Sequence, residues 1–291
     1  MAIYASNANN NKLKKMTSAY GTTWEFQYPS MWACCVVDNI IFKTDWINNR
    51  IDAYNAATGG FLYQFNTAVG SPRGITSDGT YLYIVYNGAD RIEKRDLVGN
   101  IVTSNITLGL SLAKGCTTDG VSVWIANGGG LKSLIKVNAQ NLVLLASTPN
   151  SYYPNVSQLT TDRTNIYFWC TNITTPEIGA AKTGIVKLDT SFGYAAYAAT
   201  TAANRVAMTI DSGQLVTANS TTSEMERYNK DLTAAGSSAL ALSNGIVYLD
   251  SDENATLRKI PIPSGSGTPL PSGSGGKLRR RPKYIQPSDI I

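Results

Sequence analysis

The chain has 291 residues, 43 % of them hydrophobic and 15 % charged, with a net charge of +5 and no histidine. The apolar fraction supports a sizeable core, while the missing histidine removes the commonest general base and the commonest transition-metal ligand. No run of 18 apolar residues occurs, so no hydrophobic helical span is expected.

The opening residues carry no basic segment ahead of an apolar one, so no secretory signal is expected. Ile3-Tyr4-Ala5-Ser6-Asn7 reads as an aromatic, β-branched strand. Lys12-Leu13-Lys14-Lys15-Met16 alternates charged and apolar residues, and Thr23-Trp24-Glu25-Phe26 is a further strand. Trp32-Ala33-Cys34-Cys35-Val36-Val37 is a continuous apolar run that ends in an Asp-centred turn at Asp38-Asn39.

From there one four-strand unit recurs. Its turn anchors are Asp38, Asp78, Asp119, Asp162, Asp211 and Asn244, spaced by 40, 41, 43, 49 and 33 residues. A period in the forties matches one four-stranded propeller blade. Asp-Gly between apolar runs is a hairpin signal because both residues tolerate positive φ. An aromatic second strand follows each anchor, as in Val123-Trp124-Ile125-Ala126 and Ile166-Tyr167-Phe168-Trp169, with a last copy at Ile246-Val247-Tyr248-Leu249. An alternating third strand comes next, from Arg50-Ile51-Asp52-Ala53-Tyr54 through Thr256-Leu257-Arg258-Lys259-Ile260, and its alternation predicts one buried and one solvated face. Second and third strands each occur seven times when the N-terminal copies are included. The expected fold class is therefore all-β, a β-propeller over residues 1–262, and the count favours seven blades over six, with an incomplete unit at each end.

Tyr83-Ile84-Val85-Tyr86-Asn87 with Arg91-Ile92 and Asp96, and Val123-Trp124-Ile125-Ala126-Asn127 through Lys136-Val137-Asn138, resemble the YVTN type of propeller repeat and the related NHL type. That resemblance spans residues 1–262 and implies a fold more than a role. Some propellers of this broad kind are lyases that rely on a histidine, absent here, or lactonases whose metal is held by carboxylates near the channel. The recurring Asp38, Asp78, Asp119, Asp162 and Asp211 fit turn positions better than a ligand ring. Cys34, Cys35, Cys116 and Cys170 lack CxxC spacing and lie in apolar runs, so buried free thiols are expected and no metal or other cofactor.

After Pro261 the composition changes. Residues 263–276 form a Ser/Gly/Pro linker that cannot build a core. Residues 277–291 carry five basic residues and one acid, so the propeller itself is nearly neutral and unsuited to nucleic acid. The basic clamp Arg279, Arg280, Arg281 and Lys283, followed by apolar Tyr284, Ile285, Ile290 and Ile291, reads as a peptide that docks on a neighbouring subunit, the apolar ending favouring this over a solvated terminus or a nucleic-acid-binding or import-like address.

These features lead to an expectation of a non-enzymatic structural component of a large assembly, in style resembling a tailed-phage virion protein made in the host cytoplasm. A cytoplasmic protein, or one released without a signal peptide, is the alternative location. A glycan- or host-surface-binding module is the alternative function, with Trp46, Tyr152 and Tyr153 as candidate loop aromatics. A lyase- or lactonase-type propeller enzyme is a third reading.

Overall fold

A computed structural model describes residues 2–7, 12–28, 30–67, 69–200, 205–219, 224–239 and 246–251. The linker, the docking residues at 279–291, the turn at Asn244 and the strand expected at 256–260 fall outside them. The chain divides into Met1–Ile260 and Pro261–Ile291.

The described residues form six four-stranded antiparallel sheets arranged as propeller blades. The chain starts in the middle of one: β1 (Ala2–Asn7), β2 (Lys12–Thr17) and β3 (Thr22–Gln27). Blade 1 follows as β4 (Met31–Val37), β5 (Ile40–Asp45), β6 (Arg50–Asn55) and β7 (Phe61–Asn66). Blade 2 is β8 (Pro72–Ser77), β9 (Tyr81–Tyr86), β10 (Ile92–Asp96) and β11 (Ile101–Asn105). Blade 3 is β12 (Ala113–Thr118), β13 (Ser122–Asn127), β14 (Lys132–Asn138) and β15 (Leu144–Pro149). Blade 4 is β16 (Leu159–Thr161), β17 (Asn165–Thr175), β18 (Gly179–Asp189) and β19 (Tyr194–Ala199). Blade 5 is β20 (Arg205–Asp211), β21 (Gln214–Asn219), β22 (Glu224–Tyr228) and β23 (Ala234–Ala239). β24 (Ile246–Ser251) then pairs with β1 and completes blade 6 in the order β24-β1-β2-β3.

The seven-blade expectation is thus corrected to six. Ile246–Leu249, read as a second strand, is an innermost strand, with Ile3 opposite Ser251 and Ala5 opposite Leu249. Two incomplete end units are one blade built from both ends of the ring. The physical reason for the misreading is that an inner strand and a second strand are both buried on two faces and share the same apolar, aromatic composition. Joining the two segments in one sheet removes the free edges that the ring would otherwise expose.

Inner strands β4, β8, β12, β16, β20 and β24 pack side by side around the axis. Their close approach requires small residues: a Cβ on Gly74 would lie 2.8 Å from the Cα of Gly115 in the next blade. One residue crosses the axis. The buried Gln158 accepts hydrogen bonds from the Met208 and Leu249 backbone N–H groups (3.1 and 3.2 Å) and donates to the Leu249 carbonyl (2.9 Å). It thereby joins blade 4 to blades 5 and 6 and satisfies inner-edge groups that no strand pairs.

A second device repeats around the whole ring. After each third strand, the first residue of the following turn (in blade 5 the second) offers a carbonyl that no strand can pair. The preceding blade supplies the donor each time. Lys15 reaches Ala56 (2.9 Å), Tyr63 reaches Leu97 (2.6 Å), Lys94 and Tyr83 reach Ala139 (3.0 Å each), and Lys136 reaches Thr190 (2.7 Å). The Tyr167 hydroxyl, which donates mainly to Asp162 (2.8 Å), lies 3.3 Å from the Lys230 carbonyl, and Arg227 reaches Ser18 (2.7 Å), which closes the circuit. The donors Lys15, Lys94 and Lys136 sit directly opposite Tyr4, Tyr83 and Trp124 in the sheet and over their rings, at 5.3–5.7 Å. In blade 1 the corresponding third-strand position is Ala53, and its cross-strand partner Tyr63 makes the reach instead.

The solvated third-strand face expected from alternation is therefore corrected as well. Lys94, Arg95, Glu93 and Asp52 are buried between blades. Each charge has a partner: Lys43 lies 3.0 Å from Asp52, and Glu93 is held by Arg91 (2.6 Å) and Arg95 (2.7 Å). Two further points refine the strand limits. Leu142 has φ 60 and belongs to the turn before β15, not to the strand. The expected Asp turns are present at Asp78, Asp119 and Asp162, each of which accepts two backbone N–H groups of its own turn through one carboxylate oxygen.

Two substitutions test these ties by urea unfolding. Tyr63→Phe removes one donor and is expected to cost about 1 kcal/mol. Gln158→Leu strands three buried backbone groups and is expected to cost about 3 kcal/mol. Unchanged midpoints would show that the ring does not depend on them.

Candidate functional site

The six inner strands run in one direction, so the ring has two unlike faces. Asp-centred turns lie at the strand ends. The opposite face collects the connections between blades and the turns between second and third strands, hydrogen-bonded to each other through Trp46 N–H to Ser30, Asn87 N–H to Ser71, and Gly128 N–H to Leu112. The long β17–β18 hairpin of blade 4 extends on this side, and Thr174 ties it to the 151–152 loop through the Ser151 and Tyr152 carbonyls.

At this mouth, the first residues of the inner strands depart from the apolar pattern. Arg73 occupies the second position of β8 and Lys114 the second position of β12. Both lie five residues before their anchors, Asp78 and Asp119. The Arg73 guanidinium stacks on the Trp32 ring at 3.6 Å and lies 5.3 Å from the Trp46 ring. Its Nε is buried without a hydrogen-bond partner. Lys114 passes across the Gly128 backbone: a Cβ there would come 2.4 Å from the lysine Cε. The glycine at 128 therefore gives the lysine its path.

The electrostatics of this pair are unfavourable as they stand. Burial lowers the pKa of Arg73. Burial also lowers that of Lys114, and the nearby positive charge of Arg73 acts in the same direction. Among the described residues no carboxylate offsets either cation. Two half-buried like charges without a counter-ion carry a desolvation cost that an anion would relieve. Cys170 beside Lys114 is no nucleophile at neutral pH, because burial pushes its thiol up to about 12. What the cluster can do chemically is hold an oxyanion next to an aromatic surface.

Of the aromatics singled out from sequence, Trp46 belongs to this mouth. Tyr152 is exposed on the 151–152 loop, whereas Tyr153 is buried with its ring 5.0 Å from Phe168 and faces the core. The expected docking residues Arg279, Arg280, Arg281, Lys283, Tyr284, Ile285, Ile290 and Ile291 lie outside the described residues. Sequence reading missed Arg73, Lys114 and Trp32 as site residues. The available signal was a cation five residues before two consecutive anchors, where Ala33, Ser157 and Val206 stand before Asp38, Asp162 and Asp211.

The recurring aspartates have structural tasks. Asp78 and Asp162 also accept the Tyr83 and Tyr167 hydroxyls (2.7 and 2.8 Å), and Asp211 pairs with Arg227 at 2.8 Å. No group of three or more His, Cys, Asp or Glu residues arranged to hold a metal occurs among the described residues.

All four cysteines are buried free thiols, as their apolar settings suggested. A thiol reagent at pH 8 is expected to label none of them in the folded protein and all four in denaturant. Rapid labelling of Cys170 in the native state would contradict its raised pKa.

No family model and no curated protein matches the sequence. Among solved structures, a chain in the crystal structure of a nidogen/laminin complex matches with a TM-score of 0.63 at 14 % identity, covering 86 % of this chain and 97 % of that one. Kuenenia stuttgartiensis hydrazine synthase matches with a TM-score of 0.62 at 12 % identity over 79 % of this chain and 74 % of that one. A protein of unknown function from Bacteroides caccae gives 0.61 at 10 % identity over 86 % and 97 %. At these identities the likeness is one of fold, and it agrees with the propeller that the strand topology defines.

Proposed function

We propose that this β-propeller is a non-catalytic recognition module carried on a larger assembly such as a phage virion. In this reading the mouth lined by Trp32, Trp46, Arg73 and Lys114 faces a ligand on a partner or host surface. The observation that carries the reading is the uncompensated cation–aromatic cluster at one end of the channel. Uncompensated features of this kind are retained where function needs them. Recognition fits better than catalysis because the cluster combines binding groups with a thiol held protonated and no general base within it. The basic-then-apolar residues 277–291 supply the attachment to a neighbouring subunit.

Two experiments separate the halves of this reading. Trp46→Ala in the full chain is expected to weaken binding to intact host cells or an array of surface glycans about ten-fold. Absence of wild-type binding, or equal binding by the variant, refutes recognition at the mouth. Deletion of residues 263–291 is expected to abolish co-purification with the assembly while the far-ultraviolet circular dichroism stays that of a β-protein. Continued co-purification refutes the anchoring role.

A further inference from the structure

We propose that the mouth binds an acidic saccharide, its carboxylate placed between Arg73 and Lys114 and the C–H face of its ring against Trp46. The inference rests on the recognition reading above and names the ligand class that would satisfy the site.

Three observations carry it. First, Arg73 and Lys114 hold the same register of adjacent inner strands, beside the close contact of Gly74 with Gly115, and among the described residues no carboxylate neutralises them, so a single negative group placed between them relieves both. Second, Arg73 is already oriented. Its guanidinium is flat on Trp32 at 3.6 Å, which leaves the edge of the fork, rather than its face, to meet a ligand. A planar fork edge matches a planar carboxylate through two parallel hydrogen bonds. Third, Trp46 stands 5.3 Å from the same guanidinium, so an anion in place would carry the atoms attached to it onto an indole surface. Apolar C–H groups next to a carboxylate are what a uronic or sialic acid ring presents there.

Charge argues against a nucleic acid. The +5 of the chain is concentrated in residues 277–291, which carry five basic residues and one acid, so the ring has no broad positive field to track a phosphate backbone. A local site for one anion is what remains. Lys114 adjusts the fit, since its aliphatic stem crosses Gly128 and its ammonium is free to move onto the ligand.

The test uses the full chain and isothermal titration with oligosaccharides of galacturonate, glucuronate and sialic acid. Each is compared with its methyl ester, which keeps the ring and removes the charge, and with sodium acetate, which keeps the charge and removes the ring. At least one acid form is expected to bind, with its ester and acetate each about ten-fold weaker or worse. Added salt is expected to weaken the acid form selectively. Arg73→Gln and Lys114→Met are each expected to lose about ten-fold for the acid and nothing for the ester. Lys114→Met keeps the stem over Gly128, so its melting temperature should match the parent even if Arg73→Gln folds poorly. An ester equal to its acid, acetate equal to the saccharide, or wild-type affinity in Lys114→Met overturns the proposal. Trp46-dependent binding of neutral glycans alone overturns it while leaving recognition at the mouth intact. Absence of binding to any saccharide or cell surface overturns both.

Discussion

The ring depends on a carbonyl that each blade cannot satisfy alone. The turn after every third strand leaves one C=O pointing at the neighbouring blade, and each of the six blades answers with a lysine, arginine or tyrosine, four of them with a cation. Because the donor and acceptor belong to different blades, the interaction acts on the angle between sheets and not on any one sheet. The buried charges follow from it. A lysine that must reach a neighbour's carbonyl is drawn between two apolar faces, where an aromatic ring opposite it supplies the remaining stabilisation of about 1 kcal/mol or more. Tyr63 in blade 1 shows that the acceptor is the constraint and the donor is negotiable.

Neighbouring positions of the inner strands use polar groups in opposite ways. Within the ring, Gln158 directs its amide oxygen and one of its N–H groups to backbone groups of blades 5 and 6. At the mouth, Arg73 and Lys114 have no acidic partner among the described residues, and Arg73 has a tryptophan pair for company. The buried charges between blades, Asp52 and Glu93 among them, have ionic partners, and that contrast makes the mouth informative.

Much of the blade was legible in the sequence. The Asp turns at Asp78, Asp119 and Asp162 and the second and third strands of blades 1 to 5 lie where period and composition put them, because hairpin chemistry is local. Blade number was not legible, since it depends on whether Ile246–Ser251 pairs with residues before or after it, and strand composition is blind to that choice. The fate of the third-strand charges was hidden for the same reason: alternation distinguishes two faces but a propeller buries both. At the mouth, Trp46 was visible as a loop aromatic, whereas Arg73 and Lys114 looked like ordinary strand cations until Trp32, Gly128 and Cys170 were placed around them.

The pairing of β1 with β24 also sets a timetable for synthesis. β1, β2 and β3 leave the ribosome first, yet their inner partner is among the last of the described strands to emerge. At ordinary elongation rates that interval is on the order of ten to fifty seconds. During it the nascent chain carries an unpaired β1 edge at one end and a growing arc of blades at the other, with the Ser18 carbonyl waiting for Arg227 to emerge. The final strand therefore acts as a checkpoint. A polypeptide interrupted before Ser251 would hold five formed sheets and an open seam, the state in which a quality-control protease or chaperone would find its signal.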